Sequence, residues 1–271
     1  MSRPWIYLCF ICLFALAFLW GGCGHERSGA SKNLLEEVQH RGYLLVGVKY
    51  DSPPFGFLDA DGQLKGYEIE LAHALAERII GKPDAIRFIP VNSSTRVPAL
   101  QANQVDFVLA TMTITPERKK IVNFTEPYYT AAQAVLVKAS SPFQSLKDLK
   151  TARIMYIIGS TGEDRLKAMM PQAQLLGFRS TTEAFTSFYA GRADALSTDD
   201  SILSGFLHQY CGLRMLPDRI SQEPYGIAFR KDAASQPLLD RVQEVMDTLT
   251  REDFLEDLSH KWQQSLPPAH C

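Results

Sequence analysis

The chain is poor in the residues that would commit it to nucleic acid, metal or covalent catalysis. No Lys/Arg run exceeds the three residues Arg118-Lys119-Lys120, and 28 basic against 30 acidic residues leave a net charge of -2. Phosphate recognition needs a concentrated basic face, so nucleic acid is not an expected partner. Cysteine is scarce, at five, and histidine at six. No Cys/His spacing matches a zinc site, and neither a metal nor a cofactor is expected. A phosphate-cradling glycine loop and a nucleophile–base constellation are both missing. No fixed-period repeat runs along the chain.

The N-terminus is different in kind from the rest. Arg3 is followed by residues 5–20 without a charge, and then by Gly21-Gly22-Cys23. A short basic start, an apolar stretch and a small-residue end form the layout of a secretory signal. A permanent span would usually need about twenty apolar residues. The ending resembles the lipobox of bacterial lipoproteins, in which the Cys carries the lipid, although Trp20 stands where that motif favours Leu. The expectation is therefore a signal peptide over residues 1–22, lipidation at Cys23, a polar tether over 23–32, and export to the periplasm or cell surface. Cys9 and Cys12 would leave with the signal. Cys211 and Cys271 remain, and an oxidising compartment permits a disulfide between them without requiring one.

Removing the signal leaves roughly 245 residues, enough for two lobes of about 100 or more each. Residues 43–48 read as a buried strand. Residues 66–80 place Ile69, Ala72, Ala76 and Ile79 at helical spacing against Glu70, His73, Glu77 and Arg78, which is an amphipathic helix. Strands at 86–91 and 105–110 flank a helix starting near Ser94, where Pro98 falls in the first turn. This βαβα order predicts a mostly parallel sheet with helices on both faces. The theme restarts after residues 132–138. A strand is expected at 152–158, a capping box at Ser160–Glu163, and a second one at Ser180–Glu183 opening a helix to about Ala190. A strand at 193–197, a helix at 199–208, a strand at 224–230 and two polar-faced helices, 236–249 and 252–262, complete the chain.

Ligands of open α/β sheets sit beyond the carboxyl ends of the strands, so the loops after the strands are the candidate site. Lys49 ends the first strand, and the Pro53-Pro54 pair stiffens the loop that aims Phe55. Thr111 and Thr113 follow the third strand. Thr115 is a natural N-cap with Pro116 at the first helical position, which sets Arg118 in the first turn, able to offer a planar fork to a carboxylate. Thr161 lies at a helix start whose free N–H groups favour an anion. Asp199, just past a strand, could meet an ammonium group. Each also has a plainer reading: a surface arginine, a simple cap, a core phenylalanine. Four such loops at four strand ends favour a site.

The stretches Gly47-Val48-Lys49-Tyr50-Asp51-Ser52-Pro53-Pro54-Phe55, Gly66-Tyr67-Glu68-Ile69-Glu70-Leu71-Ala72, and Ala110-Thr111-Met112-Thr113-Ile114-Thr115-Pro116-Glu117-Arg118-Lys119-Lys120 with Phe124-Thr125-Glu126-Pro127-Tyr128-Tyr129 resemble the polar amino-acid-binding family of ABC-transporter solute-binding proteins, family 3. Pro224-Tyr225-Gly226-Ile227-Ala228 resembles that family's return strand. The resemblance runs in order from Leu34 to Trp262. It implies an α/β, two-lobed periplasmic-binding-protein fold (type II) with lobe 1 over 33–134 and 225–271 and lobe 2 over 135–224. It also implies a monomer that catalyses nothing, delivers an amino acid to an ABC permease, and hinges on two crossover strands. By the same resemblance Arg118 grips the ligand's α-carboxylate with Thr113 and Thr161, Asp199 and the Thr111 carbonyl take the ammonium, and Phe55 forms an aromatic wall.

Selectivity is specific to this chain. Residues 92–96 carry no aromatic where many members place one, and Arg96 stands at the helix head instead. Lys49 replaces an acid of members that bind amide or basic ligands. Both features resemble the glutamate/aspartate-binding subgroup and point to a ligand with two carboxylates and one ammonium. The alternatives are that Arg96 faces solvent and Lys49 pairs with Asp51 or Glu68, leaving glutamine or another polar amino acid. A receptor-facing sensor is a further possibility. So is an exported cyclohexadienyl dehydratase on the same fold, which would recruit Glu126, Asp200 or Glu163 as its acid.

Overall fold

The computed structural model describes residues 33–264, and Cys23 and Cys271 lie outside them. In chain order the first part contains α1 (Leu34–Arg41), β1 (Leu44–Val48), a small meander β2 (Asp51–Ser52), β3 (Gly56–Leu58) and β4 (Leu64–Lys65), then α2 (Tyr67–Ile80), β5 (Ile86–Pro90), α3 (Arg96–Gln101), β6 (Phe107–Val108), α4 (Pro116–Lys119) and β7 (Val122–Phe124). The long strand β8 (Tyr129–Lys138) leads into the second part: β9 (Arg153–Ile157), α5 (Thr161–Met169), β10 (Gln174–Phe178), α6 (Thr181–Tyr189), β11 (Ala195–Asp199), α7 (Asp200–Gln209) and β12 (Leu213–Met215). The chain returns through β13 (Ser221–Tyr225) and β14 (Ala228–Arg230) and closes with α8 (Gln236–Arg251) and α9 (Phe254–Gln264).

Beside the small β2-β3-β4 sheet, two larger sheets form, each the centre of a lobe. The first runs β5-β1-β6-β14-β7, with β1 parallel to β5 and β6, and β14 antiparallel to β6 and β7. The second runs β10-β9-β11-β8-β12, with β13 also on β8; β9 is parallel to β10 and β11, while β8 is antiparallel to its neighbours. This is the two-lobed, type II periplasmic-binding-protein architecture. The crossover strands pair with each other, Tyr225 opposite Tyr129 and Glu223 opposite Ala131, which ties the lobes together at one edge.

The core follows the helical and strand periodicities. On one face of the first sheet, Val91, Leu100, Val105, Val108 and Val122 are buried together; on one face of the second, Val135, Val137, Ile154, Leu166 and Met170. The largest cluster covers the other faces, taking Leu71, Leu75, Val242 and Leu249 from α2 and α8 and Phe185, Leu203 and Phe206 from α6 and α7. At the crossovers it becomes aromatic: Phe55, Tyr67, Tyr128, Tyr129 and Tyr225 make edge-on and stacked contacts at 5.0–6.2 Å between ring centroids.

Several local details differ from the sequence reading. Residues 224–230, expected as one strand, divide into the end of β13 and β14, because the chain changes sheets between them. The expected Ser160 cap is absent: the Ser160 side chain makes no cap bond, and Glu163 reaches back to the Gly159 N–H instead, at 3.1 Å. Ser180 does cap, accepting from Glu183 N at 3.3 Å. Thr115 also caps, with Pro116 behind it. Cys211 is disulfide-bonded.

Helix α2 begins without a side-chain cap. Its N-cap is Gly66, at φ 136°, and its first N–H groups, Tyr67 and Glu68, donate to the Pro54 and Phe55 carbonyls, both at 2.9 Å. A β-carbon on Gly66 would lie 2.0 Å from the Phe55 oxygen. Gly66→Ala should therefore cost on the order of 3 kcal/mol through backbone strain and overlap. Thermal denaturation should show a midpoint lower by about 6–12 °C, and an unchanged midpoint would refute this account of the helix start.

Candidate functional site

Where the two lobes meet, the loops after the strands close on a narrow polar cavity with about 20 Å³ of free space. From lobe 1 it is lined by Lys49, Ser93, Arg96, Thr111 and Thr113. From lobe 2 it is lined by Ile157, Ser160, Thr161, Thr181, Thr198, Asp199 and Ile202. Six of the eight residues expected to bind ligand therefore line one space. Arg118 borders it, donating from Nη1 to the Thr113 carbonyl at 2.8 Å and from Nη2 to the Gly159 carbonyl at 3.2 Å, one bond to each lobe. Phe55 does not reach it and the aromatic-wall expectation is corrected. Its ring is 1% exposed and lies edge-on to Tyr67, Tyr129 and Tyr225 beneath the cavity.

Local structure puts each group in place. Asn92 Oδ1 accepts from Ser94 N, Ser94 Oγ and Thr95 N, a turn that delivers Arg96 as the first residue of α3. Arg96 is 2% exposed and donates from Nη1 to the Ala110 and Thr111 carbonyls at 2.6 and 3.0 Å; its Nε has no partner among the described residues. Lys49 is equally buried and donates to Ser93 Oγ at 3.1 Å, not to Asp51 or Glu68. Thr111 sits in the left-handed region at φ 46°. What holds it there is Glu68, whose Oε1 accepts the Thr111 N–H at 2.6 Å and the Tyr128 hydroxyl.

Burial dominates the electrostatics. It pushes the Asp199 carboxyl up to about 6 against the opposing Tyr225 hydroxyl bond, and the Glu68 carboxyl up to about 7 against its bonds from Tyr128 and Thr111. It pulls the Lys49 ammonium down to about 8 despite the nearby Asp51, and the Arg96 guanidinium to about 9 with help from Arg118. Arg118 is lowered too, again by burial first. Among the described residues no carboxylate forms an ion pair with Lys49, Arg96 or Arg118. Desolvated cations of this kind bind an incoming anion strongly, because water no longer competes.

On the lobe 2 side, Thr161 Oγ1 donates to Glu223 Oε2 at 2.8 Å, and Glu223 also pairs with Arg165 and Ser221 Oγ. The Thr161 hydroxyl proton is thus already used, and what the residue offers an anion is its helix N-terminal N–H. The acids that a dehydratase would recruit are elsewhere: Glu126 is exposed, Asp200 pairs with Arg219, and Glu163 pairs with Lys167; none lines the cavity. Sequence reasoning missed Glu68 and Glu223 as supports. It also missed Thr181 and Thr198, the former because strand β10, which leads into it, was not recognised.

A model of the bacterial extracellular solute-binding proteins, family 3, matches residues 44–265. The chain belongs to that family. A glutamine-binding protein of Geobacillus stearothermophilus is 38% identical over 245 residues, covering 85% of this chain and 93% of the relative. The ABC transporter glutamine-binding protein GlnH of Bacillus subtilis is 32% identical, covering 94% and 95%. Among solved structures, an ancestral arginine-binding protein bound to glutamine superposes with a TM-score of 0.77 at 36% identity, covering 82% of this chain and 98% of that one. The chain is accordingly an amino-acid-binding component of an ABC transporter, from a family of exported proteins, and its partners by class are an amino acid and a permease. Among the described residues no helix is long and apolar enough to cross a membrane.

The geometry makes Glu68 a positioning residue for the Thr111 carbonyl. Glu68→Leu should leave the Thr111 N–H unpaired at a cost of about 1–3 kcal/mol and weaken amino-acid binding about tenfold. Glu68→Gln, which keeps an acceptor, should stay within about threefold. Melting curves and calorimetric titration of both variants check this; equal loss in both would mean that the charge of Glu68, not its hydrogen bond, matters.

Proposed function

We propose that this family member captures an acidic amino acid, glutamate or aspartate, by hinge closure of its two lobes, and releases it chemically unchanged to the permease. The observation that carries the reading is the pair Lys49 and Arg96: two buried cations in the cavity wall with no carboxylate paired to either among the described residues. An α-amino acid brings one carboxylate for Arg118 and the α5 N-terminus, and one ammonium for Asp199 and the Thr111 carbonyl, which has a second lone pair beyond its bond to Arg96. That exchange leaves the Lys49 end of the cavity positive. A second carboxylate neutralises it. The glutamine-binding relatives favour a second reading, in which an amide side chain fills the same end. The protein is further proposed to act as a monomer, anchored by lipid at Cys23; mass spectrometry of the native protein should find a diacylated or triacylated Cys23 as the N-terminus, and retention of Met1 would exclude it.

Calorimetric titration with glutamate, aspartate and glutamine separates the readings. Arg118→Ala removes the group that every amino acid needs and should cost about 2–5 kcal/mol for all three, roughly 30-fold to a few thousand-fold. Lys49→Gln should weaken glutamate and aspartate about 10- to 100-fold, as loss of a charge-assisted bond does, while sparing glutamine. Equal effects on all three ligands would overturn the acidic assignment. The pH dependence has a definite sign. Pairing with an ammonium lowers the Asp199 pKa, so affinity falls as pH drops below about 6. Pairing with a carboxylate raises the Lys49 pKa, so affinity for an acidic ligand falls above about 8. Glu68, ionising near 7 beside both cations, trims the upper half of that window.

A further inference from the structure

Asp51 takes no part in the cavity, yet it spans the two lobes. It lies in β2 of lobe 1, and its Oδ2 accepts the Ser180 hydroxyl and the Thr181 N–H, each at 2.8 Å, at the start of α6 in lobe 2. Its backbone carbonyl accepts Thr182 Oγ1 at 3.3 Å, and the adjoining Ser52 Oγ lies 3.3 Å from Thr181 Oγ1 with both residues buried. The N-cap Ser180 and the first two residues of α6 are thus held by the two residues of β2. Among the described residues Asp51 pairs with no cation, so its carboxylate is committed to the α6 N-terminus and to Ser52 Oγ. The carboxylate is also well placed there, because the free N–H groups and partial positive charge of a helix start favour an anion. Beside it, a β-carbon added to Gly205 of α7 would meet the Pro53 carbonyl at 2.8 Å, so the lobes touch closely along the same edge.

We infer that Asp51 is a latch, a lobe 1 carboxylate that caps the lobe 2 helix α6 only when the cleft is shut and so sets how long a captured amino acid is retained. The inference rests on capture by closure, as proposed above. Asp51 and Ser180 do not line the cavity, and only Thr181 does. The latch therefore acts on the closed state without recognising the ligand. Opening must break both bonds to the Asp51 carboxylate as well as the one to its carbonyl. Association, which begins from the open form, does not depend on them.

The test uses the full mature protein and whichever of L-glutamate or L-glutamine the titration finds to bind, with association and dissociation followed by stopped-flow fluorescence. Asp51→Ala should raise the dissociation rate about tenfold and leave the association rate and the ligand-free melting temperature unchanged. Asp51→Asn, which can still accept the Thr181 N–H, should fall between parent and Ala. Ser180→Ala should add little in the Asp51→Ala background, because the two share one contact. A dissociation rate within twofold of the parent, while small-angle scattering shows the parent contracting on ligand, overturns the latch alone. A lowered ligand-free melting temperature or a slowed association also overturns it, since the contact would then be an ordinary element of the fold. A parent that binds without contracting overturns the closure reading and the latch with it.

Discussion

Taking Lys49, Arg96 and Glu68 out of water at one lobe junction, with Asp199 half-buried beside them, is the constraint to which the surrounding structure is fitted. An unpaired buried ion costs several kcal/mol even after relaxation, and here each is met by a specific neighbour. The aromatic cluster beneath them does two jobs. Its rings supply the apolar floor that excludes water, and two of its hydroxyls, on Tyr128 and Tyr225, point up to Glu68 and Asp199. The crossover pairing of β8 with β13 sets Tyr225 opposite Tyr129, and the adjoining Tyr128 donates its N–H to the Tyr225 carbonyl at 2.9 Å, so the hinge and the support of the charges are one construction.

The fold was legible because its signals are local. β1 and α2 declare themselves by a Val- and Leu-rich run and a helical stripe, and Thr115-Pro116 marks the start of α4 by cap chemistry. Short elements carry no such signal. The β2–β4 meander offers two or three residues per strand, β7 and β12 three each, and β10 is a five-residue strand interrupted by Gly177. The site was partly legible for the same reason. A residue just past a recognised strand, such as Lys49 or Asp199, could be placed, whereas Thr181 follows a strand too weak to read.

The rest depends on tertiary geometry that no spacing encodes. Glu68 sits near the head of an amphipathic helix and looks like one more acidic first-turn residue, until folding sets it against Thr111, 43 positions away. Phe55 illustrates the reverse error. A stiff Pro-Pro turn does fix its direction, but that direction is decided by the tyrosines waiting beneath, not by the turn. Glu223 falls one residue before the strand expected at 224–230, and only the register of β13 brings it to Thr161.

The left-handed backbone at Thr111 has a consequence for how this chain can drift. A threonine at positive φ is unfavourable on its own, because its β-branched side chain crowds the backbone. The carboxylate of Glu68 compensates by taking the amide that this conformation exposes. Positions 68 and 111 therefore form an exchange pair: once residue 111 becomes Gly or Asn, which adopt that conformation without help, the pressure to keep a hydrogen-bond acceptor at 68 relaxes. While Thr remains, replacement at 68 is expected to lag behind the rest of the helix.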